Sequence, residues 1–451
     1  MRVHGVDIPK PITEFTHCNF NATLTSNVQA VGYNIPTPIQ MQVLPAALRH
    51  RDIIACAQTG SGKTAAFLLP IIASLCGGGR VGYNPCLPKA IVLAPTRELC
   101  MQIEDQAKQL MKGIPMMKTA LIVGGLPMPP QIHRLQQGIQ LVIATPGRLI
   151  DIIDKYVFDF SAIKCFVLDE VDTMLQMGFE SQVRQITSLL PQTKQTLMFS
   201  ATIPEATEKL AETMLKNPVL IAVGKPSSPS SGLKHTVLWV EEKSKKKQLF
   251  SLLSDPTYFK PPVVVFVDSK VGADLLTDAL CTKCGIAAVA IHGDKSQEER
   301  SEALKSVQEC RCDAIVATGL LGRGLDLVHV TQVIHFDMPS TIEEFIHQTG
   351  RAGRLGSHGS SITFINNTNK NLFLDIVTTL CPLSAVLPSQ LLNSPHLIQQ
   401  KTKQKRKRIV TEDTQGDRHK SQKGDVVTSD NLMQLLRDSK WRRRHRKSRI
   451  L

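Results

Sequence analysis

Two α/β domains in tandem, each a parallel sheet with helices on its faces, are what this sequence predicts. A flexible linker is expected between them and a disordered basic tail after them. Three observations carry that expectation. The chain has 451 residues, too many for one ordinary core. Short β-rich runs alternate with helix-like stretches through both halves. Between the halves lies "GKPSSPSSG" (224–232), rich in Pro, Ser and Gly and poor in anchoring side chains.

The strands follow in order. In the first half they are "DIIACAQ" (52–58), "KAIVLAP" (89–95), "QLVIATP" (140–146), "KCFVLDE" (164–170) and "QTLMFSA" (195–201). In the second they are "VVVFVDS" (263–269), "AAVAIHG" (287–293), "DAIVATG" (313–319), "QVIHFDM" (332–338) and "SITFIN" (361–366). Domains are expected over 1–223 and 233–395, with the tail over 396–451. Polar or charged residues cluster beyond the carboxyl end of most strands, the edge at which open parallel sheets bind ligands.

Composition narrows the class. With 42% hydrophobic and 20% charged residues the chain has ample material for buried sheets. No apolar run is long enough to span a bilayer and the first thirty residues lack a signal-peptide core, so an intracellular protein is expected. Eleven cysteines without a dense framework fit reduced thiols. "CTKC" (281–284) and "CRC" (310–312) together offer four thiolates at one edge of the second sheet. Their spacing is not a standard zinc pattern, and cysteine is commonly plain packing.

The formal charge of +14 is concentrated. From His396 onward there are 17 Lys and Arg against 6 Asp and Glu, so +11 lies in the last 56 residues. "KTKQKRKR" (401–408) and "WRRRHRKSR" (441–449) read as a segment that attracts nucleic acid or directs nuclear import, or as a solvated tail that only aids solubility.

The chemistry begins at "AQTGSGKTAAFLLP" (57–70), a stretch that follows a strand and opens a helix. Gly60 and Gly62 let the backbone close around phosphate oxygens, with Gln58, Thr59 and Ser61 in the same loop. Lys63 can reach the β- and γ-phosphates and the Thr64 hydroxyl can ligate Mg²⁺. Ala57 stands where the general pattern has Gly. A second acidic segment completes a nucleotide site: Asp169 and Glu170, at the end of another strand, suit holding the Mg²⁺ shell and orienting an attacking water.

These motifs, with others in the same order, resemble the DEAD-box RNA helicases of superfamily two, from about Pro9 to Asn393. The resemblance implies two RecA-like domains that use ATP and Mg²⁺ and bind RNA. Phe15 and "GYNIPTPIQ" (32–40) match the family's adenine-reading motif, where Gln40 would present its amide to the base. "PTREL" (95–99), Gly124-Gly125 and "TPGR" (145–148) match its RNA-backbone motifs, and "SAT" (200–202) the motif that couples the domains, with Asp172, Ser200 and Thr202 as coupling residues. "VFVDSK" (265–270), "HGDKSQEER" (292–300), "ATGLLGRGLD" (317–326) and "HQTGRAGR" (347–354) fill the second-domain slots. Arg351 and Arg354, beside His347, are implied arginine fingers that share a face if helical. Asp326 would meet the ATP ribose. Arg97, Gly125, Thr145, Arg148, Gln297, Arg300 and Thr318 would contact RNA phosphates and 2′-hydroxyls, with little sequence preference.

Four letters depart from the family pattern. Val171 replaces the signature Ala and adds two methyl groups beside the carboxylates, an overpacking that typically costs about 1–3 kcal/mol unless a neighbour yields. Gly319 stands where Asp is common, Gly322 at an ordinarily small position, and Gln348 where Arg is usual. Losing that charge is expected to weaken coupling between RNA binding and closure. These departures, with "LLNSPHL" (391–397), resemble a branch that carries an upstream zinc-finger-HIT module, for which a chain starting almost at the core has no room. The expected function is an ATP-dependent RNA helicase acting as a monomer on short duplexes or RNA–protein complexes. A non-catalytic ATP-dependent RNA clamp and a DNA-directed ATPase are the alternatives.

Overall fold

A computed structural model describes residues 1–76, 87–156, 158–224, 232–319, 330–353 and 359–403. The described residues divide into two compact units, the first reaching Gly224 and the second starting from Gly232. The proposed linker lies mostly outside the described residues. So do Gly322, Asp326, Arg354 and nearly all of the basic tail.

The first unit carries strands β1 (Arg2–His4), β2 (Ile53–Cys56), β3 (Ala90–Leu93), β4 (Thr119–Ile122), β5 (Leu141–Ala144), β6 (Cys165–Leu168), β7 (Gln195–Ser200) and β8 (Val219–Ala222). They form one sheet in the order β1-β8-β2-β7-β6-β3-β5-β4. All neighbours pair parallel except β1, which runs antiparallel to β8 with Val3 opposite Ile221. Around it lie helices α1 (Ala22–Ala30), α2 (Pro38–Leu48), α3 (Lys63–Cys76), α4 (Arg97–Met111), α5 (Met128–Leu135), α6 (Pro146–Lys155), α7 (Val171–Gln176), α8 (Glu180–Leu189) and α9 (Glu205–Met214).

The second unit has β9 (Leu233–Trp239), β10 (Val263–Val267), β11 (Ala288–Ile291), β12 (Ala314–Thr318), β13 (Gln332–His335) and β14 (Gly359–Ile365). Their order is β11-β12-β10-β13-β14-β9, with every pair parallel. Its helices are α10 (Lys245–Ser254), α11 (Lys270–Cys284), α12 (Gln297–Gln308), α13 (Ile342–Thr349), α14 (Phe373–Leu380) and α15 (Ser389–Leu392).

The apolar runs became central strands because both faces of each sheet are covered. Ile53 and Ala55 enter one core cluster while Ile54 and Cys56 enter the other. In the second unit Val263, Val265 and Val267 face one cluster, and Val264 and Phe266 face the other. All ten predicted runs contain strands; β1, β4, β8 and β9 were not foreseen. No helix of the described residues is long and apolar enough to cross a membrane.

Candidate nucleotide and RNA site

The strand order brings together segments that are far apart in sequence. β2, β7 and β6 are successive neighbours, and Cys56 pairs with Ser200 while Leu168 pairs with Met198. The loops after them therefore emerge side by side at the carboxyl edge. They contain Ala57 to Gly62, Ala201-Thr202, and Asp169-Glu170, the last leading directly into Val171 and Asp172 of α7.

After β2 the loop is turned by two glycines in the left-handed region, Gly60 at φ +76° and Gly62 at φ +89°. Ala57 has no such backbone demand and is buried, which explains why a methyl group is accepted there. Lys63 opens α3 and folds back, its Nζ donating to the Ala57 carbonyl at 2.7 Å. Thr64 follows on the first turn of α3, and Gln58, Thr59 and Ser61 complete the loop. A Cβ on Gly62 would stand 2.6 Å from Gln40 Nε2, so the loop and the start of α2 are packed to backbone distance. Gln40 Oε1 accepts from the Thr37 N–H at 2.9 Å, and Nε2 donates to the Gly62 carbonyl at 3.1 Å. Both ends of the amide already have a protein partner. To read an adenine edge it must use its second lone pair and second N–H, or exchange these bonds. Phe15 begins a short 3₁₀ turn and packs against the core beside this region.

The acidic segment is buried. Asp169, Glu170 and Asp172 are no more than 4% exposed. Glu170 has φ 49° and ψ 52°, a left-handed backbone that costs a non-glycine residue about 1–2 kcal/mol. Its N–H donates to Asp169 Oδ1 at 3.0 Å. Burial pushes the Asp169 carboxyl up to about 7; the Lys63 ammonium opposes this and the Glu170 carboxylate reinforces it. Such a carboxylate fits a divalent cation, whose charge would favour its ionised form. Val171 points its two methyls into the core cluster that holds Leu168 and Met174, as the first residue of α7.

Asp172 ties this segment to the one after β7. Its Oδ2 accepts from the Thr202 N–H at 2.7 Å and the Thr202 hydroxyl at 2.6 Å. Its own N–H donates to Ser200 Oγ at 3.3 Å, and that hydroxyl donates to the Thr202 carbonyl at 2.6 Å. The three predicted coupling residues thus form one buried network.

The first-unit RNA candidates also converge. Gly125 has φ +75°, and a Cβ there would lie 2.6 Å from Cζ of Arg97, the first residue of α4. Arg148 on α6 donates from Nε to the Val123 carbonyl at 3.2 Å and from an Nη to the Leu126 carbonyl. Thr145 caps α6 and its N–H donates to the Ile122 carbonyl at 3.0 Å. Gln131, which the sequence reading missed, locks the same turn. Its Oε1 accepts from the Val123 N–H at 3.0 Å, while Nε2 donates to the carbonyls of Val123 (3.0 Å), Leu126 (3.3 Å) and Pro127 (3.1 Å). Nothing in its spacing marks it, since its partners are all backbone groups.

In the second unit Thr318 ends β12 and Gln297 opens α12, where Gln297 Oε1 accepts from Arg300 Nη2 at 2.6 Å. His347 and Gln348 are buried in the last turn of α13. Arg351 lies beyond that helix, which Gly350 ends, and Arg354 lies outside the described residues. Arg351 is 1% exposed, with Nε donating to the His347 carbonyl at 3.2 Å. Cys281 and Cys284 close α11, and Cys310 and Cys312 precede β12; all four are free thiols. No group of three or more His, Cys, Asp or Glu arranged to hold a metal occurs among the described residues.

Comparison with known proteins agrees with this geometry. The DEAD/DEAH box helicase family matches residues 37–210, and the helicase conserved C-terminal domain matches residues 244–356. The chain is 49% identical over 435 residues to the mouse protein named probable ATP-dependent RNA helicase DDX59, covering 96% of this chain and 68% of that one. It is 47% identical over 391 residues to DEAD-box ATP-dependent RNA helicase 41 of Arabidopsis thaliana, covering 86% of this chain and 77% of the other. Among solved structures it resembles S. cerevisiae Dbp5 bound to RNA and ADP BeF3 (TM-score 0.74, 27% identity, 86% of this chain and 99% of that one). It also resembles Mss116p bound to single-stranded RNA and AMP-PNP (TM-score 0.74, 25% identity, 84% and 79%). The phosphate loop, the buried acids, the coupling network and these matches have one meaning: the chain belongs to the DEAD-box family of ATP-dependent RNA helicases.

Proposed function

We propose that this helicase hydrolyses ATP at the carboxyl edge of its first sheet and uses the cycle to separate short RNA duplexes or remodel RNA–protein complexes. Lys63 binds the β- and γ-phosphates, Gln40 and Phe15 hold the adenine, and Asp326 the ribose. Thr64 and Asp169 would hold a magnesium ion, which when bound neutralises charge on the phosphate oxygens. Glu170 orients the water that attacks the γ-phosphorus. Arg351 and Arg354, with His347 beside them, stabilise transition-state charge when the domains (1–223 and 233–395, joined by 224–232) close on each other. Groups of this kind contribute roughly 10³–10⁵ in rate. RNA lies along Arg97, Gly125, Thr145, Arg148, Gln297, Arg300 and Thr318. RNA and ATP both favour the closed state, so each raises affinity for the other. The basic tail adds salt-dependent RNA affinity and favours a nuclear location.

The observation that supports this reading best is the buried Asp172–Thr202–Ser200 network, because it links the acidic segment beside the nucleotide to the segment after β7. Phosphate release by the full chain with single-stranded RNA, with DNA of equal length and with neither tests it. RNA-stimulated turnover is expected, and Glu170→Gln should lower it by about 10²-fold or more while ATP and RNA stay bound. Tight RNA binding with no turnover in the natural chain identifies a clamp instead. Equal stimulation by DNA overturns the RNA assignment.

A further inference from the structure

At the end of β12 the chain passes through Gly319, where a side chain fits only if the Glu344 carboxylate moves aside. A Cβ there would overlap Glu344 Oε1 and stand 3.0 Å from Gln348 Nε2. The Glu344 carboxylate therefore fills the volume that a side chain at 319 would occupy. Gln348 Nε2 donates to that same Oε1 at 3.1 Å, one helical turn along α13. Gln348 is 2% exposed, and its Oε1 has no hydrogen-bond partner among the described residues. The amide is thus oriented by its bond to Glu344. The backbone of the same residue carries Arg351, whose N–H donates to the Gln348 carbonyl at 3.1 Å. The last turn of α13 touches the β12 end with its side chains and holds Arg351 with its carbonyls.

Charge explains why neutral groups suit this place. Acids outnumber cations nearby: desolvation raises the Asp268 carboxyl above the usual range, and the Asp337, Glu344 and Glu242 carboxylates push the same way against the Lys245 ammonium. A further carboxylate at position 319 would meet the Glu344 carboxylate beside the neutral Gln348 amide. A cation at position 348 would balance it.

We propose that Gly319, Glu344 and Gln348 form one positioning unit, a neutral latch through which the end of β12 sets the placement of Arg351. Gly319 and Gln348 are then a matched exchange, with no acid at one and no cation at the other. This replaces the expectation that Gln348 alone removes a charge and weakens coupling. The inference rests on the reading above that Arg351 serves the terminal phosphate.

The test is a cycle of Gly319→Asp, Gln348→Arg and the double variant in the full chain, followed by phosphate release over a series of single-stranded RNA and ATP concentrations. Gly319→Asp should lower kcat about tenfold, with a smaller change in the KM for ATP, and adding Gln348→Arg should return it to within about threefold. The latch is overturned if Gly319→Asp keeps the natural kcat, or if Gln348→Arg changes kcat by the same factor in both backgrounds. Should Gly319→Asp fail to fold, Gly319→Ala and Glu344→Ala make the second cycle. There Glu344→Ala, which opens the space, should restore the loss caused by Gly319→Ala, and equal factors in both backgrounds overturn the latch. If the natural chain shows no RNA stimulation, the RNA-dependent reading fails instead, and the same cycles on RNA-free phosphate release decide the latch.

Discussion

The two units solve the same problem by different means. In the first, Asp172 is held to Thr202 across neighbouring strands, while Lys63 to Ala57 and Gln40 to Gly62 brace the loop after β2. The Asp172 and Lys63 bonds are short, buried and charge-assisted, and the Asp172 bond joins segments that the sheet order makes neighbours. In the second, the candidates hang on a local device, the last turn of α13, where Gln348 reaches Glu344 and Arg351 rests on backbone carbonyls. The lesson is that a phosphate-gripping site is prebuilt by topology, whereas the groups offered from α13 are tuned by the side chains of one helical turn. Changes in the first unit should therefore cost stability together with activity, and changes in the second should divide the two.

The sharpest way to break this comparison is Asp172→Ala. It orphans the N–H and hydroxyl of Thr202 in a fully buried place, a loss of about 2–6 kcal/mol at 1–3 for each donor. Denaturant unfolding should show that loss together with failed RNA stimulation. A variant that keeps its stability but loses stimulation would show that the network serves coupling alone.

Gly125→Ala is expected to be milder. The left-handed backbone costs an alanine about 1–2 kcal/mol, and the new methyl displaces the Arg97 guanidinium. In RNA titrations of phosphate release the half-saturating RNA concentration should rise severalfold, more than kcat falls. A change confined to kcat would remove this turn from the RNA path.

The smallest effect separates the units by pH. His335 is fully buried between Phe266 and Phe345, with Nδ1 3.1 Å from the Thr363 hydroxyl. Burial pushes it down to about 3, and His235 adds to the shift. An unfolded histidine titrates near 6.5, so its stabilising share is complete above that pH and is lost as pH falls from 6.5 towards 3. Between pH 7 and 6 the second unit should lose roughly 0.7 kcal/mol from this residue. His335→Leu should flatten that part of the melting profile; an unchanged slope would assign it to other groups.

Much of this was legible in the sequence because the signals are local. Ten apolar runs marked strands, and Gly60, Gly62, Lys63 and Thr64 marked a phosphate loop by spacing alone. Of the four missed strands, β1 and β9 lie at sheet edges with partly exposed faces that blur the apolar signal, whereas β4 and β8 are largely buried runs of only four residues. Glu344 and Gln348 stand at i and i+4 and their pairing was readable, but its link to Gly319 was not. The spacing of Arg351 and Arg354 could not say where α13 ends; Gly350 caps it before Arg351.

By itself the sequence determined that this chain has tandem parallel-sheet units, where each nucleotide motif lies, and which side chains could act on phosphate. It could do so because periodicity and turn chemistry act over a few residues. Only the tertiary structure decided that β2, β7 and β6 are neighbours, that Asp172 closes onto Thr202, that Gln131 and Arg148 fix the Gly125 turn, and that Gly319 leaves space for Glu344. Those facts depend on partners the fold brings together, from Arg148 and Val123, 25 residues apart, to Asp172 and Thr202, 30 apart, and the far more distant strands β2 and β7, or on volume left empty by a missing side chain. Neither leaves a periodic trace in the chain.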